Sequence, residues 1–140
     1  MKKLNITILT TASSWFIPYC EKLASLLINN GHGVTLSTNH RDVQPSDVLF
    51  MLSYFRIVGE ETLNKNKHNI VVHSSDLPKG KGWSPMFWQI LEGKNSIPTV
   101  LFEAVSAVDA GDIYIKDTIE LDGTELNEEL RAKQADKILE

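Results

Sequence analysis

Apolar and polar positions alternate over residues 4–9, where Asn5 and Thr7 separate Leu4, Ile6 and Ile8, so the spacing predicts a first strand. After a Thr/Ser-rich turn the period lengthens. Phe16, Leu23, Ala24, Leu27 and Ile28 recur at helical spacing over residues 15–30, and Asn30-Gly31 supplies a stop. Val34-Thr35-Leu36 predicts a short second strand. Residues 48–52, preceded by Ser46-Asp47, form a nearly continuous apolar run, which suits a strand covered on both faces, as in a parallel sheet. Residues 59–66 predict a short helix and residues 69–73 another buried strand. Strands alternating with helices predict an α/β, doubly wound sheet.

The second half changes character. A loop over residues 74–83 holds Pro78, Gly80 and Gly82, and Ser84-Pro85 predicts an N-cap and first position for a helix closed by Gly93. Residues 97–103 and 113–121 predict two strands joined by a loop over 104–112. Asp122-Gly123-Thr124-Glu125 resembles a capping sequence for a last helix with Leu126, Leu130, Ile138 and Leu139 on one side. No internal repeat, low-complexity tract or linker interrupts the chain, and the expectation is one domain over 1–140.

Composition narrows the class. The 140 residues are 42% hydrophobic and 23% charged, close to the globular average and large enough for a core without disulfide or metal staples. With 14 Lys+Arg against 18 Asp+Glu the net charge is −4, so no basic excess marks a nucleic-acid surface. Cys20 is the single cysteine, which suits a reducing compartment. The opening Met-Lys-Lys lacks a convincing cleavage site, and no apolar stretch is long enough to span a bilayer. The expectation is a cytoplasmic domain with no membrane partner.

Several candidate motifs lack the spacing their chemistry needs. Gly31-His32-Gly33 has no third glycine and follows a helix, whereas a dinucleotide loop precedes one. Lys79-Gly80-Lys81-Gly82 lacks the phosphate-loop spacing, and Cys20, His32, His40 and His68 show no zinc-ligand spacing. Trp83, Met86, Phe87 and Trp88 read as core or pocket wall. His73 stands apart. It ends an apolar strand and opens a Gly/Pro-rich loop, which places it at the carboxyl edge of the sheet, where ligands of open α/β folds bind. The loop Val108-Asp109-Ala110-Gly111-Asp112 is positioned to bring a carboxylate to the same rim. A carboxylate can orient an imidazole and hold its charged form against a developing oxyanion; equally, aspartate at 109 or 112 can serve only to shape a turn.

On these residues the chain resembles the 10-formyltetrahydrofolate-dependent formyltransferases. Residues 73–82 read His-Ser-Ser-Asp-Leu-Pro-Lys-Gly-Lys-Gly, which is similar to that family's H-x-S-x-L-P-x-x-x-G loop. The segment 85–93, with Trp88 and the Leu91-Glu92-Gly93 ending, resembles the helix that follows it. Val108-Asp109-Ala110-Gly111-Asp112-Ile113 resembles the loop with the catalytic aspartate, and residues 46–58 resemble the strand and Arg-Ile segment beside the folate. The resemblance covers roughly residues 46–121. It implies a Rossmann-like fold, a mostly parallel sheet flanked by helices. It also implies a reaction in which an amine attacks the formyl carbon on N10 of 10-formyltetrahydrofolate, and a tetrahedral oxyanion collapses to formamide and tetrahydrofolate. His73 matches the catalytic histidine and Asp109 the aspartate. Main-chain groups of Phe55, Arg56, Ile57 and Val58 would line the pterin site, with Ser75 and Gly82 shaping the loop beside it; no metal is implied.

Two departures shape the functional expectation. The family usually has asparagine two residues before the histidine, where its amide helps hold the oxyanion, and this chain has Val71. Asn69 lies on the same strand face but two residues further from the rim. Family members also usually extend further, whereas this sequence stops in or just after a charged helix. The leading expectation is an N-formyltransferase acting on a small amine, a nucleotide-linked amino sugar, because residues 74–85 resemble the loop form of formyltransferase-like proteins of surface-sugar biosynthesis. Methionyl-tRNA is the alternative acceptor, against which the acidic balance counts. Glycinamide ribonucleotide comes third, with residues 10–14 the one candidate phosphate loop. A non-catalytic folate-binding or interaction domain is the reading that Val71 favours.

Overall fold

The structure, a computed structural model, describes residues 1–77, 79, 84–106 and 110–140. The first strand, β1 (Asn5–Leu9), is buried from Ile6 onward and lies inside the sheet, between β2 (Gly33–Ser37) and β3 (Ser46–Met51). Beyond β3 follow β4 (Asn66–His73), β5 (Ser96–Glu103) and β6 (Ile113–Glu120), giving the order β2-β1-β3-β4-β5-β6. The first four strands are mutually parallel, whereas β5 runs antiparallel to both β4 and β6. The parallel half needs crossovers. Helix α1 (Ile17–Asn29) links β1 to β2, and the single turn α2 (Glu60–Leu63) links β3 to β4. The later helices are α3 (Pro85–Leu91) and α4 (Asn127–Leu139). This is the expected α/β fold, with one strand reversed.

Alternation along the strands divides the core. Ile6 and Ile8 face α1 and α4, packing with Phe16, Cys20, Ala24, Leu52 and Ala135. Leu9, Leu49 and Met51 point the other way, against Val43 and Leu63. Leu9, Met51, Val71 and Phe102 stand in one register across four strands. Val71 also joins the cluster of Leu77, Val100 and Phe102. Met86, Ile97, Ile119 and Leu130 close the core beneath α3 and α4. Complete burial of side chains such as Phe16 and Phe102 contributes about 1.5–3 kcal/mol each. Burial pushes the Cys20 thiol up to about 11, so it packs as an apolar group. Among the described residues no helix is long and apolar enough to cross a membrane.

Helix ends show where local signals held. Asn30-Gly31 closes α1 as expected. Gly31 has φ +93°, its N–H donates to Ile28 O at 2.9 Å, and His32 N donates to Leu27 O at 3.1 Å, the paired bonds of a Schellman stop. Ile28, read as a core position, is 54% exposed. Ser84 does not cap α3. Its φ of 50° puts the chain in the left-handed region and its side chain makes no capping bond. Asp122-Gly123-Thr124-Glu125 is a turn rather than the cap of α4: Glu125 accepts from Asp122 N and Gly123 N, and Asp122 accepts from Thr124 N. Leu126 fills the cap position, its N–H donating to Glu129 Oε2 at 2.7 Å, and its side chain is exposed. The helix expected over 59–66 stops at Leu63 because β4 begins at Asn66, its pairing with Ser46 on β3 outcompeting a second turn.

Candidate active site

β3 delivers the chain to the carboxyl edge of the sheet, where Ser53 turns it with φ 53°. The loop after β1 braces this exit. Thr11 N donates to Ser53 O at 3.4 Å, Phe55 N donates to Thr11 Oγ1 at 3.1 Å, and Ser14 Oγ donates to Ser53 Oγ at 3.1 Å. The candidate phosphate loop of residues 10–14 thus spends these groups as a strut. Tyr54 is fixed from the other side, its hydroxyl accepting from His40 N at 3.1 Å and lying 2.7 Å from His40 Nδ1. Between these anchors Phe55 and Ile57 stand 46% and 72% exposed.

His73 ends β4, buried, with its ring edge-on to Phe102 at 6.4 Å between centroids and 88° between planes. Two helices hold the next residue. Ser74 O accepts from Gln89 Nε2 of α3 at 2.8 Å, and Ser74 Oγ accepts from Gln134 Nε2 of α4 at 3.0 Å. Val71 packs against Phe102, the ring that His73 also meets, so the two share a strand face. Asn69 is committed elsewhere: its Nδ2 donates to Leu63 O at 2.9 Å and its Oδ1 accepts from Asn66 Nδ2 at 3.0 Å. The nearby asparagine therefore ties β4 to α2 and does not replace the amide absent at 71.

His73, Phe55, Arg56, Ile57 and Val58 line one cavity of about 350 Å³. Ala104, Val105 and Ser106, the start of the β5–β6 loop, line it too. Asp109 itself and Gly82 lie outside the described residues. Ser75 is buried and is not among the residues of the cavity wall, and its Oγ has no hydrogen-bond partner among the described residues. The β5–β6 loop starts and ends against β5. Glu103 N donates to Asp112 O at 2.8 Å, and a Cβ at Gly111 would overlap the Glu103 carbonyl oxygen, so only glycine fits there. Glu103 also accepts from Asn69 N at 2.9 Å and from the Tyr114 hydroxyl at 3.2 Å. Lost hydration and the adjacent Glu103 carboxylate push the Tyr114 phenol above its usual range.

Ser53 and Ser84 are the two non-glycine residues with positive φ among those described, and both line this cavity. Such strain costs about 1–3 kcal/mol per residue and gathers at functional sites. Part of the expected aromatic wall differs from expectation. Met86 is core and Phe87 lines the cavity, but Trp88 is 64% exposed and faces away from both. Trp83 lies outside the described residues. The sequence reading missed Trp15, Arg131 and Gln134, which also line the cavity. They come from the two ends of the chain. The i, i+3 spacing of Arg131 and Gln134 shows that they share a helix face, but not what that face meets.

Comparison with known proteins bears on the family and the fold. A family model described as formyl transferase matches residues 29–138. The methionyl-tRNA formyltransferase of Anaeromyxobacter dehalogenans (strain 2CP-C) is 30% identical over 102 residues, covering 72% of this chain and 32% of that protein. The chain thus spans about a third of the length of the curated relatives it matches. The solved methionyl-tRNA formyltransferase from Clostridium thermocellum superposes with a TM-score of 0.76 at 25% identity, covering 94% of this chain and 60% of that one. A sugar N-formyltransferase from Shewanella sp FDAARGOS_354 shares the fold, with a TM-score of 0.70 at 14% identity over 97% of this chain and 66% of that one.

Proposed function

Since this chain belongs to the formyl transferase family, we propose that it transfers a formyl group from 10-formyltetrahydrofolate to an amine. The observation that carries the reading is a coincidence of place. The histidine of the H-x-S-x-L-P loop, the exposed apolar segment of residues 55–58 and the root of the loop bearing Asp109 all meet at one cavity. Its walls suit a flat, bicyclic pterin: mostly apolar side chains, with the backbone of residues 55–58 alongside to set orientation. Bound there, the folate supplies the formyl carbon and a leaving nitrogen.

The protein's part is electrostatic and positional. His73, seated against Phe102 and with Ser74 clamped by α3 and α4, supports the negative charge that develops on the formyl oxygen as the amine adds. Asp109 orients the imidazole and keeps its proton available. The proton lost by the amine nitrogen is then carried toward N10 as the C–N10 bond breaks. Phe55 and Ile57 exclude water beside the acceptor.

For the acceptor we favour a small amine, a nucleotide-linked amino sugar, because the residue 74–85 loop resembles that of surface-sugar formyltransferases and the chain is acidic. Methionyl-tRNA is the second reading, favoured by the names of the curated relatives. The test is tetrahydrofolate release from 10-formyltetrahydrofolate with nucleotide-linked amino sugars and methionyl-tRNA as acceptors, beside a folate-binding titration. Amine-dependent release is expected with the sugar. Release with methionyl-tRNA alone exchanges the two readings, and folate binding with no turnover on any amine leaves a binding module, the reading that Val71 favours.

A further inference from the structure

On the α4 side of the cavity stands a cation that the formyl-transfer chemistry above does not use. Arg131, Gln134 and Ile138 occupy i, i+3 and i+7 of α4 and all three line the cavity, as the helical period demands of one face. The bond from Gln134 Nε2 to Ser74 Oγ, at 3.0 Å, fixes this face beside the residue that follows His73. The guanidinium carbon of Arg131 lies 5.3 Å from the centroid of the Trp15 ring, which lines the cavity as well. Stacking of this kind holds an arginine in place without consuming its donors. Those donors are unspent. Arg131 Nε is buried with no acceptor among the described residues, and no ion pair among them involves Arg131.

Charge points the same way. The whole chain carries a net −4, yet the described residues lining the cavity include Arg56 and Arg131 and no aspartate or glutamate. Arginines on the wall of an apolar hollow attract anions even on an acidic molecule. Arginine's planar fork is the side chain best matched to phosphate and carboxylate oxygens.

We infer that Arg131, set over Trp15 and one turn from Gln134, binds an anionic group (phosphate or carboxylate) of a ligand that shares the cavity with His73. Only the identity of that ligand rests on the proposed transfer reaction. The phosphates of a nucleotide-linked acceptor and the glutamate carboxylates of the folate both carry this chemistry.

Calorimetric titration of the full chain separates them, using inorganic pyrophosphate, tetrahydrofolate and tetrahydropteroate, which lacks the glutamate. The wild type is expected to bind pyrophosphate saturably, with Arg131→Gln weakening it by about tenfold or more. Arg131→Lys is expected to fall between, and it supplies a comparison that keeps the charge should the glutamine variant misfold. A preference for tetrahydrofolate over tetrahydropteroate that persists in Arg131→Gln assigns the anion to the acceptor; its disappearance assigns it to the folate. Failure of the wild type to bind pyrophosphate overturns the inference. So does full retention of both pyrophosphate affinity and the folate preference in a folded Arg131→Gln chain. None of these titrations needs turnover. A wild type that turns over without binding pyrophosphate would remove the subsite alone, and one that binds pyrophosphate without turnover on any amine would remove the transfer reaction alone.

Discussion

Val71, where the resemblance of the sequence leads one to expect an oxyanion-holding asparagine, packs among Leu77, Val100 and Phe102 on the face that His73 shares. Val71→Asn is expected to speed formyl transfer, bounded by the roughly 2.7–4 kcal/mol worth of such a donor. It should also lower the melting temperature, because an amide unsatisfied among those side chains costs about 1–3 kcal/mol. A folded variant with unchanged rate would show that position 71 does not reach the reacting oxygen. His73 and Asp109 are expected to act as a unit, so His73→Ala and Asp109→Ala should each remove most turnover and the double variant should be little worse than either. Strictly additive losses would place them in separate sites. His73 was legible from sequence because an apolar strand running into a Gly/Pro loop marks a sheet edge. Arg131 was not, because a lone arginine on a charged helix has no local signature; only the docking of α4 beside Trp15 sets it at the cavity.

At the scale of elements, the six strands and four α-helices among the described residues were each legible in the sequence, from period, apolar run or end signal. The errors lie at their ends, where tertiary pairing decides. β4 starts at Asn66, taking the last residue of the predicted helix and the two before the predicted strand, and Ser84 turned left-handed at the cavity instead of capping α3. The turn before α4 is held by a carboxylate rather than by a helix cap. Lys133 Nζ donates to Glu125 Oε1 at 2.7 Å, and with Asp122 N and Gly123 N it lowers the Glu125 carboxyl from the usual 4.5 to about 2. A depressed folded value stabilises above the unfolded one and fades as pH falls through the folded one. Acidifying the wild type from about pH 5 to about pH 2 should therefore erode the stability advantage it holds over Glu125→Gln. Melting curves of the two chains that keep a constant separation over that range would show that this carboxylate does not hold the turn.

For the molecule as a whole, the balance of charge bears on the acceptor. A macromolecular polyanion bound through many phosphates loses about 10³–10⁵ in affinity between 50 and 200 mM salt, whereas a small acceptor held by one or two cations changes far less. Turnover on the preferred acceptor is accordingly expected to vary only modestly over that range. A steep decline would return methionyl-tRNA to the lead. The reversal of β5 has a further consequence, for local opening. His73 is carried by β4, paired with parallel β3 on one side and antiparallel β5 on the other, whereas the loop of Asp109 joins β5 to β6 at the edge. Edge hairpins open with less free energy than central strands. An opening of β6 would therefore loosen the Asp109 loop before the sheet beneath His73, and the proposed site with it. In hydrogen exchange, β6 amides should exchange through an opening of lower energy than those of β1 and β3, and bound folate should slow both. Equal protection across all six strands would mean that the sheet opens only as one body. A site with one wall on an edge strand would depend on its ligand, and not on the fold alone, to stay assembled.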